Sequence, residues 1–331
     1  MKKEELTKLF KNMSRLHVVV VGDVMLDNYW WGDVERISPE APVPIVRLKK
    51  REARMGGAAN VAMNCKALGA KVTLASVVGN DHEGHILRDM AEQEGIDTGL
   101  LMLSSERITT TKTRVMSRSQ HILRMDDEVN DELSTKDEHP FLEKLLKYLQ
   151  IQKPDVLIFE DYNKGVLKEN VIARTIAHCR ELGMVVAVDP KRDNFLAYKG
   201  VTIFKPNLKE VKEGLNISLN IINKVTMDKV HKELKAALHH DITFITLSEK
   251  GVYYGNSSSE VIPSHLRSIA DVSGAGDTVI ATAAMVYTLS KDPVLMAKVS
   301  NIAGGLVCEE VGVVPINKKR LMEECARLLG S

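Results

Sequence analysis

The chain has 331 residues, 27% of them charged, and its 45 Lys and Arg nearly balance 44 Asp and Glu, for a formal net charge of +1. That balance excludes a global basic field for nucleic acid, so an anionic partner has to be held by a local arrangement of groups. With no apolar run of bilayer-spanning length, no signal-peptide core, and four cysteines (Cys65, Cys179, Cys308 and Cys325) outside any Cys-x-x-Cys pair, the sequence reads as a cytoplasmic protein with buried thiols and no membrane partner.

In chain order, residues 1–16 place Leu6, Leu9, Phe10 and Met13 at helical spacing, and His17–Val21 follows as a buried strand. Gly22-Asp23 ends that strand where a parallel sheet opens its ligand face, with Asp27 close behind. Two carboxylates there suit the hydroxyls of a polyol, although a solvated loop with a helix cap reads equally well. Residues 28–53 hold Tyr29, Trp30 and Trp31 and then three prolines, which exclude helix and point to a projecting flap with exposed aromatics.

Arg54-Met55-Gly56-Gly57-Ala58-Ala59-Asn60 leads into a helix closed by Gly69. The glycines permit close approach of a ligand and Asn60 aims an amide from the first turn, or the run is a packing device. A strand at 71–79 and an amphipathic helix at 83–95 come next. Residues 107–127 form a hairpin by pattern, turning at 117–120. Its Lys112, Arg114, Arg118 and Arg124 are either edge protection or part of a small lid sheet with the flap.

After a helix at 141–149, strands alternate with helices, and each strand exit is polar: Glu160–Gly165, Asp189–Arg192, Lys205–Glu210 and Ser248–Gly251. Polar exits from an open α/β sheet are where ligands bind. Asn207 and Glu210, three apart at a helix start, can position magnesium through water, or simply occupy a first turn. Lys164 and Lys191 add positive charge to the same face.

Asp271-Val272-Ser273-Gly274-Ala275-Gly276-Asp277-Thr278 then opens a helix of small residues. A helix start flanked by glycines offers free N–H donors and a positive dipole end to a phosphoryl group, and Asp277 is placed to take a proton from the attacking nucleophile. Taken alone, the stretch would equally serve as an ordinary cap.

Gly56–Asn60 and Asp271–Thr278, with Asn207-x-x-Glu210 and Thr246–Gly251 between them, resemble the two signatures of the PfkB/ribokinase family of sugar kinases along the whole chain. The resemblance implies a ribokinase-like three-layer α/β/α core over residues 1–331, a mainly parallel sheet, and a small β lid from segments 28–53 and 107–127. Ser38–Pro44, Thr113–Arg118, Asp161–Gly165 and Asp189–Lys191 look like the subgroup acting on D-glycero-D-manno-heptose 7-phosphate.

That subgroup uses ATP and magnesium to phosphorylate the anomeric hydroxyl, giving the 1,7-bisphosphate for ADP-heptose and lipopolysaccharide core synthesis. Its bifunctional form adds a nucleotidyltransferase domain with a His-x-Gly-His motif, and the chain ends without that domain. By resemblance, Asp277 is the base and Gly274, Ala275 and Gly276 form the anion hole. Asp23, Asp27, Gly56, Gly57 and Asn60 hold the sugar, while Lys164, Lys191, Arg114 and Arg124 are candidates for its distal phosphate. Asn207 and Glu210 organise magnesium and phosphates, and Thr246, Ser248 and Gly251 border the nucleotide. Asp271 resembles a position that binds potassium in members that use it, and the lid suits a homodimer.

Asn163 and Arg192-Asp193-Asn194 stand where the subgroup usually has glycine or a glycine-containing run. A Rossmann dehydrogenase is set aside because no Gly-x-Gly-x-x-Gly follows the first strand. A noncatalytic regulator would have lost the base or the anion hole. A sibling kinase for another sugar phosphate or a nucleoside is the remaining alternative.

Overall fold

A computed structural model describes residues 3–118 and 120–330; Met1, Lys2, Ser331 and, within the expected hairpin turn, Ser119 lie outside the described residues. In chain order the elements are α1 (Lys3–Asn12), β1 (His17–Gly22), β2 (Val24–Ile37), β3 (Pro44–Gly57), α2 (Ala58–Ala67), β4 (Lys71–Gly79), α3 (His82–Gln93), β5 (Asp97–Ser104), β6 (Thr111–Ser117) and β7 (Gln120–Asp127). There follow α4 (Thr135–Gln152), β8 (Val156–Glu160), α5 (Glu169–Glu181), β9 (Val185–Asp189), β10 (Ile203–Phe204), α6 (Leu208–Gly214), α7 (Lys224–Leu238) and β11 (Ile242–Thr246). The chain ends through β12 (Val252–Gly255), β13 (Ser259–Ile262), α8 (Ala275–Ser290), α9 (Pro293–Val307) and α10 (Lys318–Leu329).

The large sheet has the order β13-β12-β11-β10-β9-β8-β1-β4-β5, parallel except where β12 and β13 fold back at one edge. β1 explains why this sheet is covered on both sides. Val18 and Val20 pack into one apolar cluster with α2, α8 and α9, and Val19 and Val21 into the other with α4, α5 and α7. A strand apolar on both faces needs helices on both, which gives three layers. β1 also lies at the topological switch, because the chain goes from it to β4 and β5 on one side and returns through β8 on the other. The crevice beyond the carboxyl ends of β1 and β8 is therefore the expected ligand site.

A second sheet, β3-β2-β6-β7, stands at that end. Only Asp23 separates β1 from β2, and β3 runs directly into α2. The prolines of the flap sit at its 38–43 turn and at the start of β3, where no ladder donor is lost. None of the expected exposed aromatics is exposed, Trp30 and Trp31 being half-buried. Tyr29 is buried, stacked on Trp31, with the guanidinium groups of Arg54 and Arg114 against its ring, and Ile37, Val43, Leu48, Leu123 and Met125 are exposed instead.

Other differences are local. α4 starts at Thr135 rather than after Pro140, since a proline near a helix start removes only one backbone donor. β5, β12 and β13 were not anticipated. Cys65, Cys179 and Cys325 are buried, Cys308 is half-buried, and all are free thiols. Among the described residues, no helix is long and apolar enough to cross a membrane.

Candidate active site

Asp277 lies in the first turn of α8, 4% exposed, with both carboxylate oxygens engaged. Asn60 Nδ2 donates to Oδ2 at 2.7 Å, and the Tyr162 hydroxyl donates to Oδ1 at 3.0 Å. Burial pushes the Asp277 carboxyl above its ordinary range, the Asn60 bond opposes this, and the neighbouring Asp189 charge adds to it. Asn64, one turn beyond Asn60, donates to the Asn60 carbonyl at 2.9 Å and accepts from Thr278 Oγ1 at 2.9 Å. The α2–α8 contact is thus a polar clasp that fixes Asn60 against the carboxylate.

Gly274 caps α8 in the left-handed region at φ 76°, and a Cβ there would lie 2.8 Å from Asn60 Nδ2. The Ala275 N–H reaches the Val272 carbonyl at 3.3 Å, so it is already engaged. Gly276 and Asp277 keep the free N–H groups that every helix start leaves. A Cβ on Gly276 would meet Asp189 Oδ2 at 3.5 Å and Lys205 Nζ at 3.7 Å, so this turn looks directly onto an ion pair.

That pair was not singled out from the sequence. Lys205 is 1% exposed and bonds Asp189 at 2.6 Å. Lys191 bonds Glu210 at 2.6 Å and lies 4.9 Å from the centre of the Tyr162 ring. Glu160, fully buried at the end of β8, pairs in register with Gly22 and Asp189, and neither of its carboxylate oxygens has a hydrogen-bond partner. Burial drives its carboxyl well above the ordinary range, the Asp189 and Asp277 charges add to this, and Lys191 and Lys205 oppose it. Four carboxylates, those of Glu160, Asp189, Glu210 and Asp277, therefore share two lysines.

Asn207 and Glu210 form a reciprocal capping box on α6: Glu210 N–H to Asn207 Oδ1 at 2.9 Å, and Asn207 N–H to Glu210 Oε2 at 2.7 Å. With Lys191 on Oε1, both Glu210 oxygens are occupied. Among the described residues no cluster of three or more His, Cys, Asp or Glu is arranged to hold a metal. Asp189 lines the polar cavity, and its Oδ1, which has no hydrogen bond and meets only the Lys191 ammonium at 3.6 Å, is a hard donor that suits a magnesium ion arriving with its own waters.

The polar groups surround a cavity of about 490 Å³ lined by Tyr162, Lys191, Lys205, Asn207 and Asp277. A second cavity of about 420 Å³, with walls from Val272, Val279 and Leu266, shares Thr246, Ser248 and Gly276 with it and contains Gly251. A polar chamber joined to an apolar slot suits a polyphosphate joined to a flat ring. A larger groove of about 710 Å³ lies among α1, α9 and the ends of α8 and α10, and contains none of these groups.

The remaining candidates are dispersed. Asp23 is 1% exposed; Oδ2 accepts from the amides of Tyr162 (2.8 Å) and Lys164 (3.0 Å), and Oδ1 from Val166 (3.1 Å). It anchors the 161–166 loop. Asp27 Oδ1 pairs with Arg114 at 2.5 Å, while Oδ2 lies where a Cβ on Gly56 would be, 2.2 Å away. Gly57 abuts the Asp23 carbonyl in the same close packing. Lys164 bonds Glu128 and Asn130 at 2.7 Å each and does not line the cavity that Lys191 lines, and Arg124 pairs with Asp126.

Asn163 adopts φ 54°, a conformation Asn tolerates where glycine is relaxed, and Asn194 supports the same loop by donating to Asp161 at 3.0 Å. Asp271 accepts from Ser273 and from the Gly312 amide; burial raises its carboxyl, but these bonds outweigh it and hold it below the usual range. The tetrapeptide His82-Glu83-Gly84-His85 has the His-x-Gly-His spacing. Here it is the first turn of α3, capped by Asp81.

A buried carboxylate at a glycine-flanked helix start, above a lysine-bearing polar cavity at the carboxyl ends of β8 to β11 of an open α/β sheet, defines a phosphotransferase-like site. The chain belongs to the pfkB family of carbohydrate kinases, which it matches over residues 15–320. It is 38% identical over 320 residues to the D-beta-D-heptose 7-phosphate kinase of Bordetella bronchiseptica, covering 95% of this chain and 97% of that protein. It is 36% identical over 304 residues to the bifunctional protein HldE of Campylobacter curvus, covering 92% of this chain but only 64% of that one. The chain thus spans about two thirds of the bifunctional relatives. In fold it resembles phosphofructokinase-2 of Escherichia coli (TM-score 0.77, 16% identity, 94% of this chain and 100% of that one) and ribokinase of Arabidopsis thaliana (TM-score 0.71, 15% identity, 93% and 99%).

Proposed function

We propose that this chain transfers the γ-phosphoryl group of ATP to the anomeric hydroxyl of D-glycero-D-manno-heptose 7-phosphate. The observation that carries this reading is the Asp277 carboxylate, buried at the start of α8 between Asn60 and Tyr162 and beside the Gly274–Gly276 turn. The near full-length likeness to a heptose 7-phosphate kinase supports the choice of acceptor.

Asp277 takes the proton of the sugar hydroxyl as its oxygen attacks phosphorus. The free N–H groups of Gly276 and Asp277 and the α8 dipole receive charge on the equatorial phosphoryl oxygens, with Lys191 and Lys205 at the cavity wall. The apolar slot takes the base of ATP, bordered by Thr246, Ser248 and Gly251. Magnesium would be held with the phosphates beside Asp189 and would neutralise the carboxylate excess; Asn207 and Glu210, engaged in their capping box and, for Glu210, with Lys191, would meet it only through its waters. Asp27, Gly56, Gly57 and Asn60 form the sugar wall, with Asp23 holding the loop behind it. We assign the four-stranded sheet the role of a lid that excludes water, Asp271 that of a potassium-site residue, and the cytoplasm as location, where ATP and sugar phosphates are found.

ATP consumption with product identification, across heptose 7-phosphate, fructose 6-phosphate, ribose and adenosine, tests the proposal. Selective formation of a 1,7-bisphosphate is expected, and Asp277→Asn should lower kcat by about 10²–10⁴-fold while ATP binding persists. Turnover only with another acceptor would overturn the heptose assignment.

A further inference from the structure

The four cations set against the distal phosphate each meet a carboxylate: Arg114 with Asp27, Arg124 with Asp126, Lys164 with Glu128, and Lys191 with Glu210. Lys112 does not. It projects from β6 at the position in register with Asp27 of β2, and among the described residues no ion pair involves it. Its ammonium instead lies 5.9 Å from the centre of the Tyr162 ring, while Lys191 approaches the same ring from the phosphate cavity.

The connection to the chemistry is short. The Tyr162 hydroxyl bonds Asp277 Oδ1 at 3.0 Å, so one tyrosine side chain and one hydrogen bond separate Lys112 from the base. Tyr162 is fixed at its backbone as well, through the bond from its amide to Asp23. Arg114, two residues along β6, lies on the same face as Lys112 and is held by Asp27. Lys112 is half-buried and is flanked in register by Asp27 of β2 and Asp126 of β7, each of which bonds an arginine. With no ion pair of its own among the described residues, its ammonium keeps donors for an incoming anion, and charge-assisted bonds to a dianion are much stronger than the ring contact.

We propose that Lys112 recognises the phosphate the acceptor carries at the end remote from its reacting hydroxyl, and that the Tyr162 ring sets the spacing between that phosphate and Asp277. This rests on the kinase reading above and names the residue that makes the site selective for phosphorylated acceptors. Lys112 reaches in from the outer sheet, so the acceptor itself bridges sheet and core.

The test compares wild type, Lys112→Met and Lys112→Arg, first by calorimetric titration with heptose 7-phosphate and with unphosphorylated heptose in the absence of ATP, then by steady-state kinetics. The methionine variant should bind heptose 7-phosphate 10- to 100-fold more weakly and show a matching rise in its KM. KM for ATP, the thermal midpoint and kcat/KM for unphosphorylated heptose should stay within threefold of wild type. Arginine should restore most of the loss. The inference is overturned if Lys112→Met binds both sugars as wild type does, if both weaken equally, or if only KM for ATP rises, which would place Lys112 on the nucleotide. Wild type that turns over no sugar phosphate would instead bring down the kinase reading, and this inference with it.

Discussion

Asp277 is held by opposing influences that can be separated by substitution. Burial raises its carboxyl and the bonds from Asn60 and Tyr162 lower it, so removing a donor raises it further. Because the base must be ionised, Tyr162→Phe should move the acid limb of the kcat/KM profile to higher pH, with a loss of less than about tenfold on the alkaline side of that limb. An unshifted limb would mean that the bond does not tune the base. Glu160 offers a stability counterpart. Its carboxyl is raised in the folded state, so folding favours the protonated form, and the native state loses stability as pH rises from the unfolded value through the folded one. Glu160→Gln should melt like wild type near pH 4 and higher than wild type at pH 8; equal melting points at both would show that the native carboxyl is relieved in another way.

At the scale of elements, the start of α8 depends on one backbone conformation. Gly274→Ala meets both the left-handed φ of 76° and the Asn60 amide at 2.8 Å, and should cost roughly 1–3 kcal/mol in urea unfolding as well as most turnover. Stability unchanged from wild type would show that the turn relaxes freely. This start was legible in the sequence, as were β1, β4, β8 to β11, α2 and the hairpin of β6 and β7, because glycine placement, apolar runs and polar strand exits are local signals. Lys205, Asp189 and Glu160 were not legible as a group. Each reads locally as a strand-end residue, and its importance comes from the parallel register that sets Glu160 beside Asp189 and brings α8 over both. The partners of Lys164 and Lys191 were hidden for the same reason, since a sequence shows a lysine but not which distant carboxylate meets it.

At the scale of the molecule, the outer sheet carries exposed apolar side chains at Ile37, Val43, Leu48, Leu123 and Met125. Scattered singly such residues mean little, but here they gather on two hairpins of one small sheet, which is the form a self-complementary interface takes. If the chain pairs through this sheet, wild type should sediment at equilibrium as a dimer and Ile37→Asp combined with Leu123→Asp as a monomer. A wild-type monomer at micromolar concentration would rule out pairing through this sheet.

The junctions of the two long ribbons have a mechanical meaning. β2 and β3 are 14 residues each, extending roughly 45 Å at strand rise, and they leave the core through Asp23 and return through Gly57 without an intervening flexible loop. They form a lever whose short arm carries Asp27 and Gly56 and whose long arm ends near Val43. On the lid role proposed for this sheet, a tilt of a few degrees at the inner end becomes a displacement of ångströms at the tip, and a dye attached there is expected to change its signal when acceptor is added to the protein; an unchanged signal would mean that the ribbon does not move with acceptor binding.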